Sequence, residues 1–367
     1  MGFTPPPYPY DRLDPMKAKA SALDGGVVDL SIGTPNDPPP AFVVEAMAAS
    51  NSERGYPASI GSAAFREAAR AWMAERLGVD APASQVGVCI GTKEFVASVP
   101  QFLRLRTPER DTVLYPALSY PTYAMGAVLA GCRAVPVPVD DRFCLDLSTV
   151  SEEDAARALV LWVNTPGNPA GQVDDLGAAA AWGRRQGVPV FSDECYVEFT
   201  WDGPPHTILE HGLDGVVAVH SLSKRSNLAG VRAGFYAGDG DLVEYLKEVR
   251  KHAGFMVPGP VQAAAAAALG DQAHVDAQRA RYDERLRFFA GVLEARTGVP
   301  VALPGGGFYL WVAATDGDAW GFAEELAVEG GVLVTPGDTF GPQGAGHVRV
   351  ALVQPMERLE LVDRRLA

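Results

Sequence analysis

The run Ala158-Leu159-Val160-Leu161-Trp162-Val163 leaves a folding chain little choice. It has no polar residue to turn toward water, so it fits a strand covered on both faces, as in the middle of a parallel sheet. Similar runs stand at 86–90, 112–116, 134–139, 188–191, 216–219 and 233–237. Between several of them lie stretches of helical period, such as 63–77, where Phe65, Ala69 and Trp72 share one face. This alternation predicts an α/β fold with a mostly parallel central sheet. Residues 1–40, rich in proline and poor in periodicity, are expected to wrap over a surface.

The polar residues that follow these strands carry the chemistry. After the strand at 216–219 comes His220-Ser221-Leu222-Ser223-Lys224, with Arg232 eight residues beyond the lysine. A partly desolvated lysine at a strand end loses its proton readily and can form a Schiff base with a carbonyl. Two hydroxyls and an arginine beside it suit a phosphate, and an ordinary solvated loop would contain the same residue types. Strand 86–90 runs into Gly91-Thr92-Lys93-Glu94 and a helix to about residue 105, the arrangement that offers a phosphate the N–H groups of a helix start. Thr92 is equally suited to capping that helix. Strand 158–163 ends in Asn164-Thr165-Pro166-Gly167-Asn168-Pro169-Ala170-Gly171, two Asn/Pro turns close together. Asp193 closes the strand at 188–191 and needs a partner if buried, with Tyr196 three residues on. Arg349 stands in the apolar run at 347–352; its planar fork fits a carboxylate, of a substrate or of a neighbouring side chain.

Composition excludes other classes. A net charge of −14 argues against nucleic acid or an anionic membrane as partner. The four cysteines have no C-x-x-C spacing and are read as reduced core thiols, and no metal-ligand pattern is present. The glycines of Pro304-Gly305-Gly306-Gly307-Phe308-Tyr309 are consecutive and do not form a dinucleotide fingerprint. No export signal or membrane span is visible, so the protein is expected in the cytoplasm.

Together, Ser221-x-Ser223-Lys224 with Arg232, the Asn164 to Gly171 element, Asp193 with Tyr196, and Pro304 to Tyr309 resemble the pyridoxal-phosphate aminotransferases of fold type I, class I/II. The resemblance covers essentially the whole chain, from Gly33 to Arg349. It implies a large cofactor-binding domain over 41–255 and a small α+β domain over 256–367 joined by 1–40, with a hinge near 252–260. It also implies a homodimer with shared active sites, and pyridoxal 5′-phosphate held by Lys224. Gly91, Thr92, Ser221, Ser223, Arg232 and a partner's Tyr56 would hold the phosphate, with Lys93 beside that loop. Tyr120 would stack on the ring, Asp193 would bind the ring nitrogen, and Asn168 and Tyr196 would share its 3′ oxygen. Gly33, in Ile32-Gly33-Thr34-Pro35, and Arg349 would face the substrate. For Tyr56 and Tyr120, beside prolines, loop packing is the other reading.

Four less universal strings narrow the resemblance: Gly91-Thr92-Lys93-Glu94, Ser192-Asp193-Glu194-Cys195-Tyr196, Ala218-Val219-His220-Ser221-Leu222-Ser223-Lys224, and Arg250-Lys251-His252-Ala253-Gly254. They are similar to the N-succinyldiaminopimelate aminotransferases of lysine biosynthesis. That implies a polycarboxylate amino donor, 2-oxoglutarate as acceptor, and Lys93 as one candidate for a distal carboxylate. An aspartate, alanine or aromatic aminotransferase, or a C–S lyase, would keep nearly the same residues. An effector-sensing domain of the same fold is the non-enzymatic alternative.

Overall fold

The computed structural model describes residues 2–367 and separates into two units. One comprises the chain up to Asp37 with Arg281–Pro304 and Phe308–Ala367; the other comprises Pro38–Ala280 and Gly305–Gly307.

The larger unit is built on seven strands in the order Val86–Cys89, Gly234–Gly238, Val216–Ser221, Val190–Asp193, Ala158–Asn164, Thr112–Pro116, Arg133–Val137. All pairings are parallel except those of Gly234–Gly238, which runs antiparallel to both neighbours. All seven residues of Ala158–Asn164 are buried, as an uninterrupted apolar run requires. Helices cover the sheet. Ala63–Leu77 buries Phe65, Ala69, Trp72, Met73 and Leu77, is capped by the Ser62 hydroxyl, and ends on Gly78 in the left-handed conformation.

The boundary of this unit falls at 280/281, inside the helix Ala273–Thr297, and not at 255/256 as the resemblance implies. The alanine-rich helix Gly259–Leu269 explains the difference. Its Ala264, Ala265, Ala268 and Leu269 belong to the same core cluster as Val43, Phe65 and Ala69. Small side chains allow that close packing, which ties the segment to the large unit.

The smaller unit has a three-stranded antiparallel sheet in the order Thr335–Pro336, His347–Ala351, Tyr309–Ala313. A parallel pair, Val28–Asp29 with Val332–Leu333, joins the N-terminal segment to the end of the chain. The N-terminal segment is more regular than its prolines suggest. Asp14–Ser21 is a helix with Pro15 in its first turn, where a proline's missing N–H costs nothing. Residues 301–303 join no strand.

Of the four free cysteines only Cys89 is buried; Cys132, Cys144 and Cys195 are half-buried, so "core thiol" describes one of the four. Among the described residues no helix is long and apolar enough to cross a membrane, and no group of three side chains could hold a metal.

Candidate active site

In the large unit, the polar residues predicted at strand ends gather because neighbouring strands end in register. Asn164 pairs with Asp193 across one ladder, Asp193 with Val219 across the next, and Ser221 with Gly234 across a third. The carboxyl ends of adjacent parallel strands are where α/β sheets place ligands.

One side of this end is built for an anion. Gly91 has φ +74° and precedes the helix Thr92–Arg106. A Cβ at Gly91 would lie 2.4 Å from Arg232 Nη2, so glycine alone lets the guanidinium approach the helix start. The Arg232 backbone is itself left-handed, φ +63°, and its Nη1 donates to the Ala229 carbonyl at 2.8 Å. Ser221 Oγ accepts the Ser223 N–H at 3.1 Å, folding the short helical turn Leu222–Arg225 that carries Lys224. Thr92 is the first helical residue and not the cap; Gly91 holds the cap position, so the capping alternative for Thr92 does not apply. A phosphate fits this cradle of helix start, hydroxyls and arginine.

The other side surrounds Asp193. Its Oδ2 accepts the Tyr123 hydroxyl at 2.9 Å and its Oδ1 the Cys195 N–H at 3.3 Å. Its backbone carbonyl accepts Asn164 Nδ2 at 2.9 Å, and Asn164 Oδ1 accepts the Asn168 N–H at 2.9 Å. Asn168 and Asp193 are therefore held in one hydrogen-bonded unit. Burial pushes the Asp193 carboxyl up, while Tyr123, Cys195 and the Lys224 charge pull it back. Tyr196 is buried and opens the short 3-10 turn Val197–Phe199. Lys93 Nζ donates to Tyr120 Oη at 3.2 Å. Tyr56 is 98% exposed, which excludes loop packing as its role within this chain.

Gly33 and Arg349 belong to the smaller unit. A Cβ at Gly33 would meet the Tyr309 hydroxyl at 2.0 Å, so this glycine allows a close approach. Arg349 is buried between the rings of Tyr309 and Phe340, each 4.6 Å from its guanidinium carbon. Its Nη2 donates to the Ser31 carbonyl and to the Tyr10 hydroxyl.

Nothing local in the sequence marks Tyr123, whose contact depends on the fold bringing Thr122–Leu129 to Asp193. The consecutive glycines were equally silent. A Cβ at Gly306 would lie 2.4 Å from the Pro166 ring, so they let the chain pass the Asn164 to Gly171 loop.

Behind Asp193, Glu194 and His220 face each other with Oε2 and Nε2 3.5 Å apart, both fully buried. Burial pushes Glu194 up to about 8 and His220 down to about 3, so both are neutral near pH 7. Glu194, raised from 4.5, loses its contribution to stability as pH rises toward 8. His220, lowered from 6.5, loses its own as pH falls toward 3. The two slopes cancel between about 4.5 and 6.5 and leave a plateau. Glu194→Gln is expected to flatten the alkaline limb by on the order of 1 kcal/mol per pH unit, read from urea unfolding between pH 6.5 and 8. An unchanged alkaline limb would remove Glu194 from this role.

The family model "Aminotransferase class I and II" matches residues 25–364. The chain is 42% identical to 4-dedimethylamino-4-oxo-anhydrotetracycline transaminase OxyQ of Streptomyces rimosus, covering 98% of this chain and 99% of that one. It is 35% identical to the LL-diaminopimelate aminotransferase of Desulforudis audaxviator, covering 98% and 95%. Among solved structures, a probable N-succinyldiaminopimelate aminotransferase from Thermus thermophilus aligns with a TM-score of 0.86 at 32% identity, covering 97% of this chain and 98% of that one.

Proposed function

The chain belongs to the class I and II aminotransferases, and from that membership we propose that its amino donor is a polycarboxylate amino acid, N-succinyl-L,L-diaminopimelate, with 2-oxoglutarate as acceptor. Its cofactor is pyridoxal 5′-phosphate, which when bound supplies an electron sink for the pair released from the donor's Cα–H bond. The proposal extends to a homodimer working in the cytoplasm in diaminopimelate and lysine biosynthesis.

In this reading the cradle of Gly91, Thr92, Ser221, Ser223 and Arg232 binds the cofactor's phosphate, completed by Tyr56 of a second copy. The exposure of Tyr56 supports that reach. Asp193 binds the ring nitrogen. Asn168 and Tyr196 donate to the 3′ oxygen, and Tyr120 covers a ring face. Lys224 would anchor the cofactor and, once released, would take the donor's Cα proton as general base and deliver it to the cofactor's C4′ as general acid. The amino group is carried from donor to acceptor in two half-reactions, giving ping-pong kinetics. Arg349 takes the donor's α-carboxylate, near an entrance at Gly33.

The observation that carries the polycarboxylate donor is the Lys93 ammonium, 3.2 Å from the Tyr120 hydroxyl. It adds a cation beside the cofactor residues, suited to a second carboxylate. A second reading follows from the 42% identity to the transaminase from S. rimosus: a polycyclic ketone as amino acceptor.

A panel of donors assayed with 2-oxoglutarate, and again with a tetracyclic ketone as acceptor, tests both. N-succinyl-L,L-diaminopimelate is expected to exceed aspartate, alanine and phenylalanine in kcat/KM. Lys93→Met is expected to lower that preference by about tenfold, on the order of 1.4 kcal/mol for one exposed ion pair in a partly desolvated site. Lys93→Met acting equally on all donors, or amination of the tetracyclic ketone with no response to diaminopimelates, would overturn the first reading.

A further inference from the structure

Asp193 occupies a position where two outcomes compete. A buried carboxylate beside a pyridine ring can leave the proton on the ring nitrogen or take it for itself. Only the first arrangement makes the ring an effective electron sink, because a neutral ring beside a neutral acid has no positive charge to receive the electron pair. Burial favours the second: Asp193 is 7% exposed, and that environment raises its proton affinity. Something must favour the carboxylate's ionised form.

The Tyr123 hydroxyl is aimed at Asp193 Oδ2 from 2.9 Å. Burial holds this phenol far above its ordinary range, so it remains a donor at every working pH. Its placement is rigid. Tyr123 is 2% exposed, belongs to the helix Thr122–Leu129, and packs at 5.6 Å from the ring of fully buried Trp162. The other carboxylate oxygen has its own donor, the Cys195 N–H at 3.3 Å. Hydrogen bonds to a carboxylate in a dry site lower its proton affinity, and the shorter hydroxyl contact contributes more than the longer backbone one. Asp193 also has the Lys224 charge near it, but that charge changes when the lysine reacts. The Tyr123 contact does not.

We propose that Tyr123 is a positioning residue that, through its hydrogen bond to Asp193, keeps the shared proton on the ring nitrogen of the bound cofactor. The proposal rests on the reading of Asp193 as the partner of that nitrogen. It goes beyond that reading by assigning the position of the proton to a residue that acts through its hydrogen bond to Asp193.

The test uses holoenzyme reconstituted with pyridoxal phosphate labelled with ¹⁵N in the ring, and reads the nitrogen chemical shift in wild type, Tyr123→Phe and Asp193→Asn. Phenylalanine keeps the ring packed on Trp162 and removes only the hydroxyl. The wild-type signal is expected in the protonated range, and Tyr123→Phe should move it measurably toward the unprotonated one. In the same variant kcat should fall about tenfold, as for one unit of lost proton affinity difference, with KM nearly unchanged. A purely structural role would not move the nitrogen signal in protein of unaltered thermal midpoint. A wild-type signal in Tyr123→Phe overturns the proposal, and so does folded Tyr123→Phe that no longer binds the cofactor. If instead Asp193→Asn keeps a fully protonated ring, the reading of Asp193 itself fails, and that failure is distinct from failure of Tyr123 alone.

Discussion

Lys224→Ala is expected to leave a folded protein whose turnover is lower by about 10⁴-fold or more. Loss of a general base alone costs about 10²–10⁴-fold, and this variant also loses the covalent anchor. The turn carrying Lys224 is held independently of the lysine, through Ser221 Oγ and the Ser223 N–H and through Arg225, which reaches Glu198 and the Ala268 carbonyl. Borohydride treatment of the wild type should fix the cofactor to the peptide containing Lys224; a label on another lysine would sink the assignment. The same variant tests the second copy. Tyr56→Ala should also be strongly impaired, yet unfolding and refolding it with an equal amount of Lys224→Ala should restore roughly a quarter of wild-type activity. In a two-fold dimer with random reassortment, half the dimers are hybrids, and each has one site without a lesion. No recovery from proven hybrids would place Tyr56 in its own chain's site.

The parts of this molecule legible in its sequence were those fixed locally. An uninterrupted apolar run such as residues 158–163 can only be a covered strand, and a polar residue at its end must lie at the sheet's edge. Asn168, Asp193, Ser221 and Lys224 follow such runs in the sequence, and the strand ends bring them to one end of the sheet. Tyr123 could not be picked out this way, because a tyrosine in an apolar helix looks like packing until the fold sets its hydroxyl against Asp193. The same limit explains the boundary at 280/281: nothing local says that the alanine face of Gly259–Leu269 packs on Phe65 and Ala69.

The strings that narrowed the family have a physical account that is not about substrate. Glu94, from the first, forms a two-fold salt bridge with Arg250, from the last, at 2.7 and 2.8 Å, and also accepts the Ile90 N–H. Arg250 is completely buried, so removing either partner would strand a charge. Glu194, from the second string, faces His220, from the third. Four strings thus reduce to two pairs, in which Arg250, Glu194 and His220 are buried, that brace the helix start at Gly91 and the strand ends at Asp193 and Ser221. Such bracing serves any donor. Lys93 stands apart from both pairs, and so the choice of donor is tested there.

Asp193→Asn is expected to bind the cofactor yet lose about 10³-fold or more in kcat/KM for every donor. Asparagine preserves the volume, and its Oδ1 can still accept the Tyr123 hydroxyl or the Cys195 N–H. The neutral amide cannot hold a proton on the ring nitrogen. Each unit lost in that nitrogen's proton affinity is worth about 1.4 kcal/mol, and replacing a full ion pair by an amide costs several units. Stability should move the other way. Burial opposes the ionised carboxylate in the cofactor-free protein, so removing the charge is expected to leave thermal unfolding of that form unchanged or higher. A variant that unfolds early would signal a structural carboxylate, and one that turns over at near wild-type rate would take Asp193 out of the reaction. Losing catalysis while keeping both cofactor and fold is the result that separates an electrostatic role from a scaffolding one.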